Sequence, residues 1–125
     1  MLKTIASLTL MLALGLGMSS TALADGKQYL RVIVVKTEDA SAYLRELEKG
    51  RAMLKRLGVS VQLRAWRATF AGPETGAFIV SQEYPSFAAF AAASAKTAAD
   101  PEFSEWIKGL DKVRKIVSDS LYQEI

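Results

Sequence analysis

Histidine and cysteine are both missing from this chain of 125 residues, and the pair of absences removes a good deal of chemistry. Neither a Ser-His-Asp nor a Cys-His nucleophile system can be assembled without them. Zinc sites built from nitrogen and sulfur ligands are excluded in the same way, and so is lipid attachment through a lipobox cysteine. Oxygen-only metal sites need clustered carboxylates. The nearest candidates, Glu38-Asp39 and Glu46/Glu48, read as a helix cap and a helix surface, so no metal is expected. Charge of one sign is scarce too: 16 basic residues stand against 13 acidic ones. The basic cluster "KGRAMLKR" (49–56) has the sequence of a solvated helix face, not of a nucleic-acid footprint. A phosphate-cradling glycine loop is also absent, since "GLG" (15–17) falls in the N-terminal leader.

That leader has three parts. Lys3 supplies a positive start, residues 5–17 are apolar, and "ALA" (22–24) is a small-x-small end. This is the pattern of a secretory signal peptide, and the apolar stretch is short of the roughly 20 residues that span a bilayer. The reading divides the chain into a signal peptide over 1–24 and one domain over 25–125. It predicts an exported, periplasmic or secreted protein with no stable membrane anchor after cleavage; the rival reading is an uncleaved N-terminal anchor. Without Lys3 the net charge is near +2, and no nucleic-acid partner is expected.

"YLRVIVVK" (29–36) is short and rich in β-branched residues, as strands are. Both of its faces are largely apolar, which implies cover on both. Leu44, Leu47, Leu54 and Leu57 then recur at helical spacing, with Asp39 placed as N-cap and Gly58 as the left-handed C-terminal residue. "VSVQLRAWRATFA" (59–71) reads as a long strand. Its apolar phase changes from odd to even positions, which predicts a bulge near Arg64 or Ala65. "GPETG" (72–76) is turn chemistry, and "AFIVSQEY" (77–84) is the return strand. Pro85 ends that strand and Ser86 caps an alanine-rich helix. The helix loosens near 96–99 and restarts at "DPEF", with Asp100 as N-cap and Pro101 at the first helical position. "KIVSDSLYQEI" (115–125) closes the chain as a strand, with Val117, Leu121 and Ile125 on one face and Ile116, Ser118, Ser120 and Tyr122 on the other.

Strand, helix, strand, strand, helix, strand is the split βαβ order of the ferredoxin-like α+β class: a four-stranded antiparallel sheet with the second helix broken. Right-handed crossovers place both helices on one face. The opposite face, apolar on the first strand and on residues 77–80, is left without cover from its own chain. A second copy packed sheet to sheet satisfies it, so a homodimer closing a dimeric α/β barrel is expected.

The first strand, the "GPETG" hairpin, "EYPSFAAFAAA" with its restart at "ADPEF", and the terminal "SDSLYQEI" together resemble the dimeric α+β-barrel superfamily, which includes antibiotic-biosynthesis-monooxygenase-like and NIPSNAP-like proteins. The resemblance spans the whole domain and implies the fold and the dimer. Its enzymatic members are cofactor-independent oxygenases or haem-degrading enzymes that hold substrate between helices and sheet. The haem-degrading members use a histidine on iron, and oxygenase members often pair an asparagine with a tryptophan in the pocket. This chain has neither histidine nor asparagine, so no catalytic residue carries over and no cofactor is expected.

Five residues, Arg31, Arg64, Trp66, Tyr84 and Tyr122, stand out as candidates for holding a ligand. Arg31 interrupts an apolar strand face, which places it either at a solvated edge or against a pocket anion. Arg64, Trp66 and Arg67 lie near the expected bulge, where Arg-Trp-Arg could grip a carboxylate-bearing aromatic by ion pairing and stacking; the rival role for Trp66 is core or dimer interface. Tyr84 and Tyr122 offer phenolic hydroxyls, with packing as their rival role. Glu83 is a base only if buried. Two functions remain open: a non-enzymatic exported dimer that binds a small apolar or aromatic ligand or a partner protein, and a cofactor-independent oxygenase or isomerase for an aromatic substrate. Convergence of Arg31, Arg64, Trp66 and Tyr84 on one cavity would favour the second.

Overall fold

The computed structural model describes residues 26–125; the signal-peptide reading of residues 1–24 lies outside them. β1 (Tyr29–Lys36) leads to α1 (Ala40–Arg56), then to β2 (Gln62–Arg67), a 3-10 turn (Gly72–Glu74), β3 (Phe78–Tyr84), α2 (Phe87–Ala99), α3 (Pro101–Leu110) and β4 (Lys115–Gln123). The sheet order is β2-β3-β1-β4 and each neighbouring pair is antiparallel. This is the ferredoxin-like α+β fold.

Local chemistry sets the helix ends. Asp39 accepts a hydrogen bond from the Ala42 amide at 3.0 Å, Ser86 from Ala89 at 3.1 Å, and Asp100 from Phe103 at 2.9 Å. Each satisfies an amide that the first helical turn leaves without an internal partner. Gly58 follows α1 at φ +68°, where a Cβ would be strained. α2 and α3 meet at Asp100-Pro101, so the alanine-rich run is one arm broken into two helices. Among the described residues no helix is long and apolar enough to cross a membrane.

The core lies between the helices and one sheet face. Ile33 and Val35 of β1, Phe78 and Val80 of β3, Tyr43 and Leu47 of α1, and Leu110 of α3 are buried together. Gly50 has a packing role that its place in a helix does not reveal. A Cβ built there would stand 2.5 Å from Cη2 of Trp106, so the indole ring rests on the α1 backbone. One turn earlier, Glu46 accepts the Trp106 indole N–H at 3.0 Å. At the far end of α1, Arg56 reaches Asp100 at 2.8 Å, tying the helix to the α2–α3 break.

Two expectations about strand detail are overturned. β2 spans residues 62–67, not 59–71, and pairs with β3 without a register break from Gln62↔Glu83 to Arg67↔Phe78. There is no bulge at Arg64 or Ala65. The change of apolar phase arises because Val59 and Val61 precede the strand, Leu63 and Trp66 within it face opposite sides of the sheet, and Phe70 follows it in a loop, 100% exposed. The irregularity lies in β4 instead. Val34 pairs with Ser118 but Val35 with Ile116, so Val117 is the extra residue. The bulge shifts Ile116 away from Ser118, Ser120 and Tyr122 and onto the helix-side face with Asp119 and Leu121.

Candidate functional site

Residues opposite each other in an antiparallel ladder share a face. Arg31 pairs with Gln82 and Leu121, Tyr29 with Tyr84, and Ile33 with Val80 and Asp119. Arg31, Tyr84 and Asp119 therefore lie with the core residues on the helix side. There the helices and the sheet border a partly open cavity of about 240 Å³, lined by Arg31, Tyr84, Asp119 and Arg114 together with Leu47, Leu54, Val80, Trp106 and Ile107 among its apolar walls. At about 30 Å³ per water in the liquid, the space equals roughly eight waters.

Polar groups reach this cavity from β1, β3 and β4, from the turn before β4, and from Ser94 and Thr97 of α2. β1 is a central strand, so Arg31 is not at a sheet edge. Its guanidinium meets Asp119 in a two-point pair, Nε to Oδ1 at 2.9 Å and Nη2 to Oδ2 at 2.6 Å. These hydrogen bonds hold the Asp119 carboxyl below the ordinary aspartate range, against the opposing effect of partial burial. Tyr84 is buried, and its hydroxyl donates to Oε1 of Gln82 at 2.7 Å. Burial raises its pKa, with the Arg31 charge pulling the other way. Arg114 enters from the turn before β4. Its side chain is 7% exposed, and its one ion-pair contact among the described residues, Nε to Asp111 Oδ1, is long at 3.4 Å. Nearby, the buried Tyr43 hydroxyl makes no hydrogen bond of ordinary geometry. Burial raises this phenol's pKa, and the Arg114 guanidinium lowers it in part.

The other candidates lie on the opposite sheet face. Arg64 pairs across from Ser81, Trp66 from Ile79, and Tyr122 from Leu30. Trp66 is 51% exposed and Tyr122 56%. The Trp66 indole donates to Ser81 Oγ at 2.8 Å, and Arg64 reaches Glu83 at 3.6 Å and Gln62 at 2.8 Å. Arg67 points to the helix side instead, its guanidinium 4.7 Å from the centre of the Phe78 ring. The Arg-Trp-Arg triplet is thus split across two faces by strand alternation and grips nothing as a unit. Arg64 and Tyr84 do share the rim of an open depression beside the start of β2. Arg31 and Tyr84 share the partly open cavity, while Trp66 and Tyr122 do not reach it.

Arg114, Asp119 and Trp106 belong to the cavity and were not singled out from the sequence as its residues. Arg114 sits in the basic "KVRK" run (112–115), which reads as surface. The sequence signal that could have found Asp119 is an acidic residue alternating with apolar ones in a strand opposite a strand that carries an arginine.

No family model matches this chain, and no curated protein matches it by sequence. Solved structures do match by shape. A NIPSNAP family protein from Agrobacterium tumefaciens is 16% identical with a TM-score of 0.58, covering 79% of this chain and 83% of its own. SnoaB, a cofactor-independent oxygenase from Streptomyces nogalater, is 15% identical at a TM-score of 0.59, covering 79% of this chain and 94% of its own. A NIPSNAP-like domain protein from Burkholderia xenovorans is 17% identical at 0.56, covering 79% and 83%. What the chain shares with them is the fold. Chemistry does not follow from fold alone.

Proposed function

We propose that this chain is an exported homodimeric protein, released from its leader after residue 24 into the periplasm or the medium, that binds a small apolar or aromatic ligand between its helices and its sheet. The observation that carries the ligand reading is the partly open cavity of about 240 Å³, lined by apolar walls and a set of polar side chains. Ligand sites commonly have that composition. Support for the dimer comes from the outer sheet face, where Leu30 and Val32 are half-buried and Trp66 and Tyr122 are more than half exposed. Two such faces meeting about a two-fold axis would cover each other.

Native mass spectrometry of the protein recovered from exporting cells tests this reading. The expected species is a dimer of chains beginning at Asp25, carrying a small organic molecule that leaves on activation. A monomer would remove the dimer, a retained leader would remove the export route, and a bare dimer that takes up no aromatic compound would remove the ligand.

A second reading, turnover of an aromatic substrate without a cofactor, is favoured by one observation: Arg31 and the buried Tyr84 hydroxyl border the same cavity. Oxygen consumption with any ligand so recovered separates the two readings.

A further inference from the structure

We propose that the ligand of this cavity carries a carboxylate, and that Arg114 receives it. The inference rests on the small-molecule reading above and adds the ligand's charge and its point of attachment. Two guanidinium groups line the cavity, and their situations differ. Arg31 is satisfied, since both oxygens of Asp119 lie within 2.9 Å of it. Arg114 is not. Its side chain is 7% exposed, while Asp111, its one ion-pair partner among the described residues, is 61% exposed and meets Nε at 3.4 Å. A charge-assisted N–H···O bond is normally about 2.7–2.9 Å, so this contact is a loose one.

Among the described residues the terminal nitrogens of Arg114 have the neutral Tyr43 hydroxyl for a neighbour, whose pKa the guanidinium pulls down, and one phenol oxygen leaves most of the five N–H donors of the fork without a partner. A cation so far withdrawn from water, with a weak partner, favours an incoming anion. Asp119 acts on Arg114 through its charge, but its oxygens are engaged by Arg31. A carboxylate offers two coplanar oxygens that match the fork. The walls formed by Leu47, Leu54, Val80 and Trp106 then take the apolar remainder. The small volume suits a monocarboxylate with a single ring.

Trp106 lines the cavity and Trp66 lies on the other sheet face. The Trp66→Phe protein therefore retains one tryptophan, in the cavity wall, whose fluorescence reports occupancy. Phenylacetate and its neutral counterpart phenylacetamide would be titrated into it at pH 7. The expected result is that phenylacetate binds at least about tenfold more tightly, the preference a single charge-assisted contact confers. Arg114→Gln should bring the two ligands to parity, and Arg114→Lys should keep part of the preference; circular dichroism checks that both variants are folded. If Arg114→Gln fails to fold, the wild-type ratio and the lysine variant still decide. Equal affinities in the parent protein, or a preference that survives Arg114→Gln, would overturn the inference while leaving the cavity reading intact. A response to neither compound overturns the cavity reading and the inference with it.

Discussion

Replacing Gly50 with alanine sets helix propensity against one packed ring. In an exposed helix interior the substitution would stabilise by about 1 kcal/mol. Here the new Cβ would stand 2.5, 2.8 and 3.3 Å from three carbons of the Trp106 ring, where carbon contacts normally lie at about 3.5–4.0 Å. The ring must retreat by roughly 1 Å to restore that spacing. Retreat is opposed by its hydrogen bond to Glu46 at 3.0 Å and by the Phe103 ring 5.2 Å away. Overpacking of this kind costs about 1–3 kcal/mol, so Gly50→Ala should lose about 1 kcal/mol net. In a Trp106→Phe background the obstructing carbons are gone, and the same substitution should gain about 1 kcal/mol. The sign reversal corresponds to a coupling of roughly 2 kcal/mol, within the range seen for residues in contact. Urea melts of the four proteins, followed by circular dichroism at one fixed chain concentration, measure it. If alanine stabilises both backgrounds equally, the indole does not rest on Gly50, and the account of how α1 and α3 approach is wrong.

The buried Tyr43 hydroxyl makes no hydrogen bond of ordinary geometry to the described residues and has only the Arg114 guanidinium acting on it, so Tyr43→Phe should change stability by less than about 1 kcal/mol; a larger drop in the urea midpoint would mean that the hydroxyl is fully bonded. The Arg31–Asp119 pair makes a pH prediction. Because Arg31 depresses the Asp119 pKa, the pair's stabilisation is complete above the unfolded aspartate value of about 3.9 and is lost as pH falls through the lower folded value. Asp119→Asn should therefore destabilise at pH 7 and differ less from the parent below pH 4; a constant difference across that range would refute the pairing. On the outer face, Trp66→Glu should convert the proposed dimer to monomer in analytical ultracentrifugation, and an unchanged sedimentation coefficient would exclude that face as the interface.

The sequence alone determined what neighbouring residues settle between themselves. The caps at Asp39, Ser86 and Asp100 each act on an amide three residues on, and Gly58 acts on its own backbone. The strand and helix order follows from periodicity within each segment, and the order together with the handedness of crossovers leads to the sheet topology. The register of β4 was not legible, because the extra residue at Val117 has no local signature and is defined only by its pairing with β1. The division of Arg64 and Trp66 from Arg31 and Tyr84 depended on how β2 pairs with β3, whose start the apolar pattern of residues 59–71 misplaced, and that of Tyr122 on how β4 pairs with β1. The site depended most on tertiary structure. Arg31 and Asp119 are 88 residues apart, and Gly50 and Trp106 meet only because α3 folds back on α1. Arg114 is a surface-type residue by composition and a buried one by position. Contacts between distant segments leave no periodic trace in the chain, because each partner is chosen by the packing of the other.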